Sequence, residues 1–269
     1  MKLIPIFLLV GMLAVSGWAE EYKIEPYSPE LVKKADAGDA ETQYDLGQCH
    51  EKGLGVMRDN REAVKWYTKS AEQGHVMAAF NLSRCYEDGQ GVPRDKKQAM
   101  KWFSKVLEST DIKELYRILR SIDPYCNYDS DKSVLLLKRL AELGNAKAQY
   151  DLGNVCRWNG GVRGGVGDRK ESVKWYTMAA EQGNAKAQYK LGICYRQGEG
   201  VDTDEKEGFK WLTKSAEQGN ADAQFWLGNC YEYGSGVDKD EKEAFNWYTK
   251  SAEQGNASAK RELKKFKSK

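Results

Sequence analysis

The 269-residue chain has no surplus of either charge sign. Its 42 Lys and Arg nearly balance its 40 Asp and Glu, and both signs are scattered along the chain. A nucleic-acid-binding surface needs a basic patch or stripe, and an anionic membrane attracts clusters of cations. The one basic run, from Arg261 to Lys269, has the composition of a solvated chain end. The charge pattern therefore predicts no nucleic-acid partner.

Residue types that carry catalysis are also scarce. The only two histidines, His50 and His75, stand at ordinary positions of an internal repeat described below. A nucleophile needs a neighbouring base to activate it. The chain contains neither a His-Glu-x-x-His metal motif nor the Ser-x-x-Lys motif of penicillin-recognising enzymes. We therefore expect no catalytic residue, no metal site and no cofactor, and the chain is predicted not to be an enzyme.

Long apolar runs are absent beyond the first residues. A basic residue, the apolar stretch Leu3 to Val15 and the small residues Gly17 and Ala19 make residues 1–19 typical of a secretory signal, cleaved before Glu20. The stretch is shorter than the ~20 residues that a bilayer span needs, although an uncleaved anchor is the alternative. The mature chain is predicted to be periplasmic or secreted, most simply in a bacterium, without a membrane span.

What the chain does contain is a repeat of about 36 residues. Five tryptophans and one leucine fall at matching positions, spaced 36, 34, 39, 36 and 36 residues apart. Such regularity indicates a solenoid, in which each unit packs only on its neighbours. We expect six repeats of two helices each, a first helix and a second helix. The matching positions lie in the second helix and are Trp66, Trp102, Leu136, Trp175, Trp211 and Trp247.

The second helix has signals for its start and its end. An Asp stands seven residues before each matching position, where an N-cap stabilises a helix by ~1 kcal/mol. In five repeats a Glu or Gln follows three residues later, which predicts a reciprocal capping box. A Gly suited to a left-handed C-terminal cap ends the helix in five repeats. The caps are Asp59, Asp95, Asp129, Asp168, Asp204 and Asp240, and the glycines are Gly74, Gly144, Gly183, Gly219 and Gly255.

The first helix carries a small-x-small-x-aromatic-x-Leu-Gly pattern, as in Ala146 to Gly153, Ala185 to Gly192 and Ala221 to Gly228. The small residues allow close approach of two backbones, and the aromatic residue and Leu fill the space between layers. A Gly-x-Gly-Val turn, as at Gly53 to Val56 and Gly234 to Val237, joins the first helix to the second. Glycine permits positive φ in such a turn.

These motifs, together with the Trp-Tyr-x-Lys-Ser-Ala-Glu-x-Gly series, resemble the Sel-1-like repeat (SLR) family over nearly all of the mature chain. Tetratricopeptide repeats are the nearest alternative, but their period is about 34 residues and they lack the glycine turn. The resemblance implies an all-α, right-handed α–α superhelix of antiparallel helix pairs, capped by half repeats. It also implies a concave face lined by first helices that scaffolds protein complexes, without indicating a particular ligand.

The solenoid is predicted to cover residues 29–269, after a linker at 20–28. It begins with a half repeat at Pro29 to Gly38, because a terminal repeat must present a polar outer face. The full repeats are 39–74, 75–110, 111–144, 145–183, 184–219 and 220–255, followed by a capping helix at 256–269.

Two repeats depart from the pattern. The third lacks the small residues, the glycine turn and the Trp, and its helices are predicted at Asp111 to Ile122 and from Asp129 onward. This is either drift that preserves apolar volume, or a bend with a contact loop at Tyr125 to Ser130. The fourth has three extra residues within Asn159 to Gly167. That segment follows a predicted helix and lacks the Gly-Lys-Ser/Thr of a phosphate loop, so we interpret it as a lengthened turn.

Four of the six cysteines stand three residues after the Leu of a first helix. Equivalent points on neighbouring repeats are ~10 Å apart, which exceeds the ~7 Å between Cα atoms that a disulfide allows. We expect these four, Cys49, Cys85, Cys194 and Cys230, to be buried thiols. Cys126 and Cys156 stand elsewhere, near turns of adjacent repeats, and are hypothesised to form the only disulfide.

One stripe of the first helix varies freely between repeats, at positions one, five, eight and twelve of the pattern. These positions share a face of a helix, and variation on a fixed scaffold is what a shaped binding surface needs, although solvated faces vary too. The predicted partner-binding residues are Asp151, Asn154, Trp158, Lys190, Asp222, Trp226, Asn229 and Tyr233.

Trp226 and Tyr233 put two aromatic residues on an otherwise polar face, and aromatic residues are enriched in binding hot spots. Packing of Trp226 against the basic C-terminal helix is the rival explanation. The predicted function is that of a monomeric adaptor that binds a protein or peptide in its groove. Glycan or peptidoglycan binding is the alternative, and hydrolysis of a β-lactam or another substrate is the second alternative.

Overall fold

A computed structural model describes residues 25–125, 127–128, 130–158 and 168–266, with the backbone alone for Trp158. Within these residues the fold consists of fourteen α-helices and contains no strand. The helices are α1 Pro29–Asp36, α2 Ala40–Lys52, α3 Asn60–Glu72, α4 Val76–Asp88, α5 Lys96–Glu108, α6 Ile112–Ile122, α7 Asp131–Glu142, α8 Ala146–Trp158, α9 Arg169–Glu181, α10 Ala185–Gln197, α11 Glu205–Glu217, α12 Ala221–Tyr233, α13 Glu241–Glu253 and α14 Ala257–Phe266.

From α1 to α5 and from α6 to α14, each helix packs on the next one along the chain, and where these two runs meet α4 packs on α6 and α5 on α7. α2 to α13 thus form six successive first-helix and second-helix pairs. This confirms the predicted all-α solenoid. α1 and α14 stand at the two ends, where the sequence predicts half repeats. The predicted signal at 1–19 lies outside the described residues and stays a prediction. No described helix combines the length and the apolar character that crossing a membrane requires.

Within a repeat, the two helices approach most closely at the Gly of the Leu-Gly pair. A Cβ atom at Gly47 would lie 2.6 Å from the ring of Tyr67, and one at Gly228 would lie 2.7 Å from the ring of Tyr248. Both tyrosine rings are fully buried. Since real Cβ contacts are longer than this, the ring of the second helix occupies the space that a side chain on the first helix would need.

Between repeats, a buried glutamine joins three helices. Gln224 of α12 donates from Nε2 to the carbonyl of Ala216 in the preceding second helix, at 3.1 Å. Its Oε1 accepts from Nε2 of Gln254, at the end of its own second helix, at 2.7 Å. The same arrangement recurs at Gln43, Gln149 and Gln188. The Gln stands at an undefined position of the first-helix pattern, so its role was not predicted from the sequence.

A serine makes a second contact between the two helices of a repeat. The hydroxyl of Ser251 donates to the carbonyl of Ala221 at 2.6 Å, and Ser70 and Ser215 make the same bond at the same distance. These serines are fully buried. Hydrogen bonding of buried polar groups avoids a desolvation cost of about 1–3 kcal/mol for each group.

The predicted Asp caps are confirmed in the five repeats where the structure describes them. Each carboxylate accepts from the amide three residues on, as Asp204 does from Glu207 at 2.9 Å. The reciprocal half of the capping box is wrong in four of these repeats. The amide of Asp204 donates instead to the carbonyl of Tyr195 in the first helix, at 2.9 Å, and three other caps do the same. The cap therefore fastens the second helix to the first.

In the third repeat the start of the second helix is corrected by two residues. α7 begins at Asp131, and Ser130 is its N-cap, accepting from the amide of Ser133 at 3.1 Å. The predicted cap Asp129 lies outside the described residues. Asp123 replaces the missing glycine turn, since its carboxylate accepts from the amides of Asn127 and Tyr128.

The four cysteines predicted to be buried are buried, with at most 4% of each residue exposed. Burial raises the pKa of the Cys85 thiol to about 12 and that of the half-buried Cys156 to about 11. Cys156 has a free thiol, so its hypothesised disulfide with Cys126, which lies outside the described residues, is not present in the structure. The lengthened turn at 159–167 lies outside them as well.

The second glycine of the inter-helix turn touches the preceding layer. Gly236 has a φ of +74°, and a Cβ atom there would lie 2.1 Å from the carbonyl oxygen of Glu205, so the backbone of the preceding layer excludes any side chain at this position. By contrast, a Cβ atom at Gly219, at φ +86°, would meet nothing within 4 Å.

We expect Gly236→Ala to lower the free energy of unfolding by about 3 kcal/mol or more, because it adds a backbone clash to a left-handed conformation. Gly219→Ala, the control, adds only the left-handed strain and should cost about 1–2 kcal/mol. Urea denaturation followed by circular dichroism measures both. Equal losses in the two variants would contradict the proposed contact between layers.

We also expect Cys49, Cys85, Cys194 and Cys230 to resist alkylation in the native protein at pH 8. Burial excludes the reagent, and a raised thiol pKa lowers the fraction of reactive thiolate. Mass spectrometry after a short iodoacetamide pulse measures the labelling of each thiol. Protein unfolded in urea is the control, in which all four should react. Rapid native labelling of any of them would contradict its burial.

Candidate binding groove on the first helices

The strongest predicted binding residue, Trp226, is half-buried in contacts of its own. The Arg196 guanidinium lies 4.9 Å from the centre of its ring, and Phe225 packs edge-on at 5.6 Å. Tyr189 packs with Trp226 against the same apolar cluster, and burial raises the pKa of Tyr189. Arg196 lies on α10 and Phe225 on α12, so Trp226 packs against the preceding repeat, and its packing against the basic C-terminal helix stays a prediction.

The other members of the C-terminal stripe, defined as Asp222, Trp226, Asn229 and Tyr233, differ in how much surface they offer. Asn229 donates to the carbonyl of Phe225 in its own helix at 3.3 Å. Asp222 is exposed and accepts from Nδ2 of Asn256 at 3.1 Å. Tyr233 is 59% exposed. Tyr233 is therefore the one stripe residue with a large exposed aromatic surface.

The remaining predicted residues also make internal contacts. Asp151 accepts from Nζ of Lys147 at 2.7 Å and from the hydroxyl of Tyr128 at 2.9 Å. Asn154 accepts from the hydroxyl of Tyr176 at 2.8 Å. Lys190 lies 5.6 Å from the ring centre of Tyr189, and nothing is described of the Trp158 side chain. The predicted set is thus spread over α8, α10 and α12, and its role in binding stays a prediction.

A second candidate site lies at the N-terminal end of the solenoid, between the first helices α2, α4 and α6. Two adjoining clefts of about 300 and 250 Å³ share Tyr44, Met77 and Arg117, and we call them together the N-terminal groove. The first cleft is also lined by Glu41, Gly74, His75, Val76, Asp111 and Glu114, and the second by Gln48, Glu51, Lys52, Phe80, Asn81, Arg84 and Ser121. Six of its lining residues on α2 and α4 stand at the varying stripe positions of the first helix, namely Glu41, Gln48, Lys52, Met77, Asn81 and Arg84. The lining residues on α6 were not predicted, because α6 belongs to the repeat without motifs.

The floor of the N-terminal groove is apolar and rigidly held. Tyr44, Met77 and Phe80 are at most 9% exposed, and all three belong to one large core cluster. The Tyr44 ring stacks on His75 with 4.6 Å between ring centres. The hydroxyl of Tyr67 donates to Oε2 of Glu51 at 2.5 Å. Burial, together with the charge of Glu51, raises the pKa of Tyr67. A floor so packed holds its shape in the absence of a ligand.

Charges of opposite sign occupy the two ends of this groove. Glu41, Asp111 and Glu114 line the first cleft. Lys52 and Arg84 line the second, and Arg117 lies between the clefts. Arg84 is exposed and forms no ion pair with any residue that the structure describes. Oε1 of Glu114 pairs with Arg117 at 3.1 Å, while its Oε2 is buried without a hydrogen bond to any described residue.

His75 has a structural role, as the sequence analysis interpreted it. Its Nδ1 accepts from the amide of Ala78 at 3.1 Å and so caps α4, where later repeats use Asn. Its Nε2 donates to Glu41 at 2.9 Å. With both nitrogens engaged, His75 is poorly placed to act as a general base. Among the described residues no group of three or more His, Cys, Asp or Glu could hold a metal ion.

Comparison with known proteins identifies the repeat. The Sel1 repeat family model matches residues 40–75, 76–108, 146–184, 185–220 and 221–256. The chain belongs to the Sel1 repeat family. The Sel1 matches leave out 109–145, which contains the repeat that the sequence analysis found to be degenerate. Sel1 repeat proteins generally serve as scaffolds for protein–protein interaction.

The known relatives of the chain share little with it beyond the repeat itself. The rat DAP3-binding cell death enhancer 1 is 56% identical over 36 residues, which cover 13% of this chain and only 7% of the rat protein. A Sel1 repeat protein of Oxalobacter formigenes is 28% identical, with 83% of this chain and 87% of that one covered and a TM-score of 0.44. A protective antigen of uropathogenic Escherichia coli with an SLR fold is 28% identical, with 87% and 58% covered and a TM-score of 0.38.

The contacts of Trp226 predict that it contributes to stability whatever it binds. We expect Trp226→Ala to lower the free energy of unfolding by about 2 kcal/mol, because a half-buried ring and its cation–π contact are lost. Tyr233→Ala and Arg84→Ala remove exposed side chains and should stay within about 0.5 kcal/mol. Urea denaturation of the three variants measures this. A loss for Arg84→Ala as large as that for Trp226→Ala would contradict the exposed position of Arg84.

Proposed function

We propose that the protein is an exported adaptor that binds a polypeptide along its first helices. Membership of a family of protein-interaction scaffolds supports a binding role, and the signal-like residues 1–19 support a periplasmic or secreted location. The N-terminal groove is the observation that carries the proposal. It combines a rigid apolar floor with charged groups at its rim, which is the composition that a polypeptide-binding cleft needs.

A contrast between two sets of positions adds support. Contacts that hold the two helices of a repeat together are repeated almost without change, as in the three serine bonds of 2.6 Å. At position eight of the first helix, by comparison, the side chain is Gln48 in the first repeat, Arg84 in the second and Asn229 in the sixth. A uniform scaffold with varied surface side chains provides a surface shaped for one partner.

Glycan binding is the second candidate, favoured by the exposed ring of Tyr233. Sugars stack on exposed aromatic faces, but the neighbouring Trp226 has Arg196 packed over its ring. A glycan site at α12 would therefore depend mainly on Tyr233. The polypeptide proposal places the partner at α2, α4 and α6 instead, so the two candidates differ in position as well as in ligand chemistry.

Site-specific photo-crosslinking in the source organism tests the proposal. A benzoylphenylalanine at position 84 in the N-terminal groove should give adducts with a polypeptide in the extracytoplasmic fraction, because that side chain is exposed beside the clefts. The same group at position 101, exposed on the outer helix α5, is the matched control and should give none. A third version at position 233 reports on the C-terminal stripe.

Polypeptide adducts from position 84 alone support the proposal as stated. Adducts from position 233 alone would move the site to the C-terminal stripe. Absence of any polypeptide adduct from either position, with retention of the protein on isolated polysaccharide, would replace the adaptor with a glycan-binding protein. N-terminal sequencing of the exported protein, with Glu20 as the expected first residue, checks the signal.

A further inference from the structure

The distribution of charge in the N-terminal groove indicates the chemistry of its occupant, an inference that rests on the proposed function. The two clefts form one continuous surface, because Tyr44, Met77 and Arg117 line both. Anionic side chains stand at one end and cationic side chains at the other, with the apolar floor between them. A ligand that matches this surface must itself have two charged ends of opposite sign.

At the cationic end of the groove, two side chains are available to bind a ligand. Arg84 forms no ion pair with the described residues, and Nζ of Lys52 has a hydrogen bond only to the neutral Oε1 of Gln48, at 2.8 Å. Glu51, the acidic residue that lines this cleft, accepts from the Tyr67 hydroxyl and forms no ion pair with either cation. Two cations without carboxylate partners on one wall of a cleft attract an anionic group.

At the anionic end of the groove, two carboxylates are also available to bind a ligand. The Glu41 side chain is 54% exposed although it accepts from His75. Glu114 pairs with Arg117 through one oxygen, and its other oxygen is buried without a described partner. A ligand donor reaching Oε2 would satisfy an acceptor that is otherwise costly to bury. The first cleft therefore suits a Lys or Arg side chain.

Helix dipoles account for only part of this arrangement. Acidic residues near helix N-termini and basic residues near C-termini are stabilising, which explains Glu41 and Lys52 without a ligand. Arg84 and Arg117 lie well inside α4 and α6, where the dipole effect has faded. The cationic side of the groove thus exceeds what helix stability requires.

We propose that the N-terminal groove binds an extended polypeptide segment whose charges are segregated, with acidic residues toward Lys52 and Arg84, basic residues toward Glu41 and Glu114, and an apolar side chain between them. A uniformly acidic segment would be repelled by Glu41 and Glu114, and a uniformly basic segment would be repelled by Lys52 and Arg84. Each cleft, at about 250–300 Å³, has room for one or two side chains rather than a folded domain.

Fluorescence anisotropy with synthetic peptides tests this inference on the mature protein. The probes are labelled peptides of one composition, three Glu, three Lys and a central Leu pair, in which the charges are either segregated into blocks or alternate. Both block orders are used, because the chain direction in the groove is not fixed by charge. The better segregated peptide should bind at least about fivefold more tightly than the alternating one, as two or three exposed ion pairs would give.

Variants connect the preference to the groove. Arg84→Glu should abolish the preference for segregated charge and should bind an all-Lys version of the peptide more tightly than the wild type does, a gain that unfolding cannot produce. Lys101→Glu on the outer helix α5 changes the net charge by the same amount and should behave as the wild type. The preference should also decrease as salt is raised, because exposed charges are screened.

Equal binding of segregated and alternating peptides, or no binding of either, would overturn the inference. Its failure is separable from failure of the proposed function. Crosslinks from position 84 without a charge preference would support a polypeptide-binding groove that selects its partner by something other than charge. A charge preference that survives Arg84→Glu would also overturn it, because the selectivity would then arise elsewhere on the chain.

Discussion

The solenoid depends on a buried polar contact that fixes the position of each layer on the one before. In four of the six repeats a glutamine of the first helix bonds to a carbonyl of the preceding second helix and to a glutamine at the end of its own second helix. A buried amide that loses either partner is destabilising, so the bonds allow one relative placement of three helices. The Asp caps fasten the two helices of a repeat, and the second glycine of the turn, as at Gly91, Gly200 and Gly236, contacts the preceding layer.

The contact is absent where the groove opens. At the glutamine position the second repeat has Ala79 and the third has Leu115, and both are buried in the largest apolar cluster of the protein. Apolar packing is less directional than hydrogen bonding, and here the first helices α4 and α6 contact each other directly. The third repeat retains apolar volume but lacks the glycine turn of the family, and it supplies α6 as one wall of the N-terminal groove.

Much of the fold could be predicted from the sequence because its determinants are local. Asp caps, left-handed glycines and the slot of the buried cysteines each depend on residues within one repeat, and the spacing of Trp175, Trp211 and Trp247 makes the repeat evident. The capping box was half wrong because the Asp amide finds a partner nine residues earlier, in the other helix. Sequence spacing alone does not show which of two acceptors an amide will use.

The candidate site could not be predicted in the same way, because it depends on contacts between repeats. Trp226 looks like an exposed hot-spot residue in the pattern of its own helix, yet Arg196, thirty positions earlier, packs over its ring. The N-terminal groove combines residues of three repeats, one of them without motifs. The most direct test is an NMR titration of the mature protein with the charge-segregated peptide. The account predicts amide shift changes confined to α2, α4 and α6, and changes centred on α12 would contradict it.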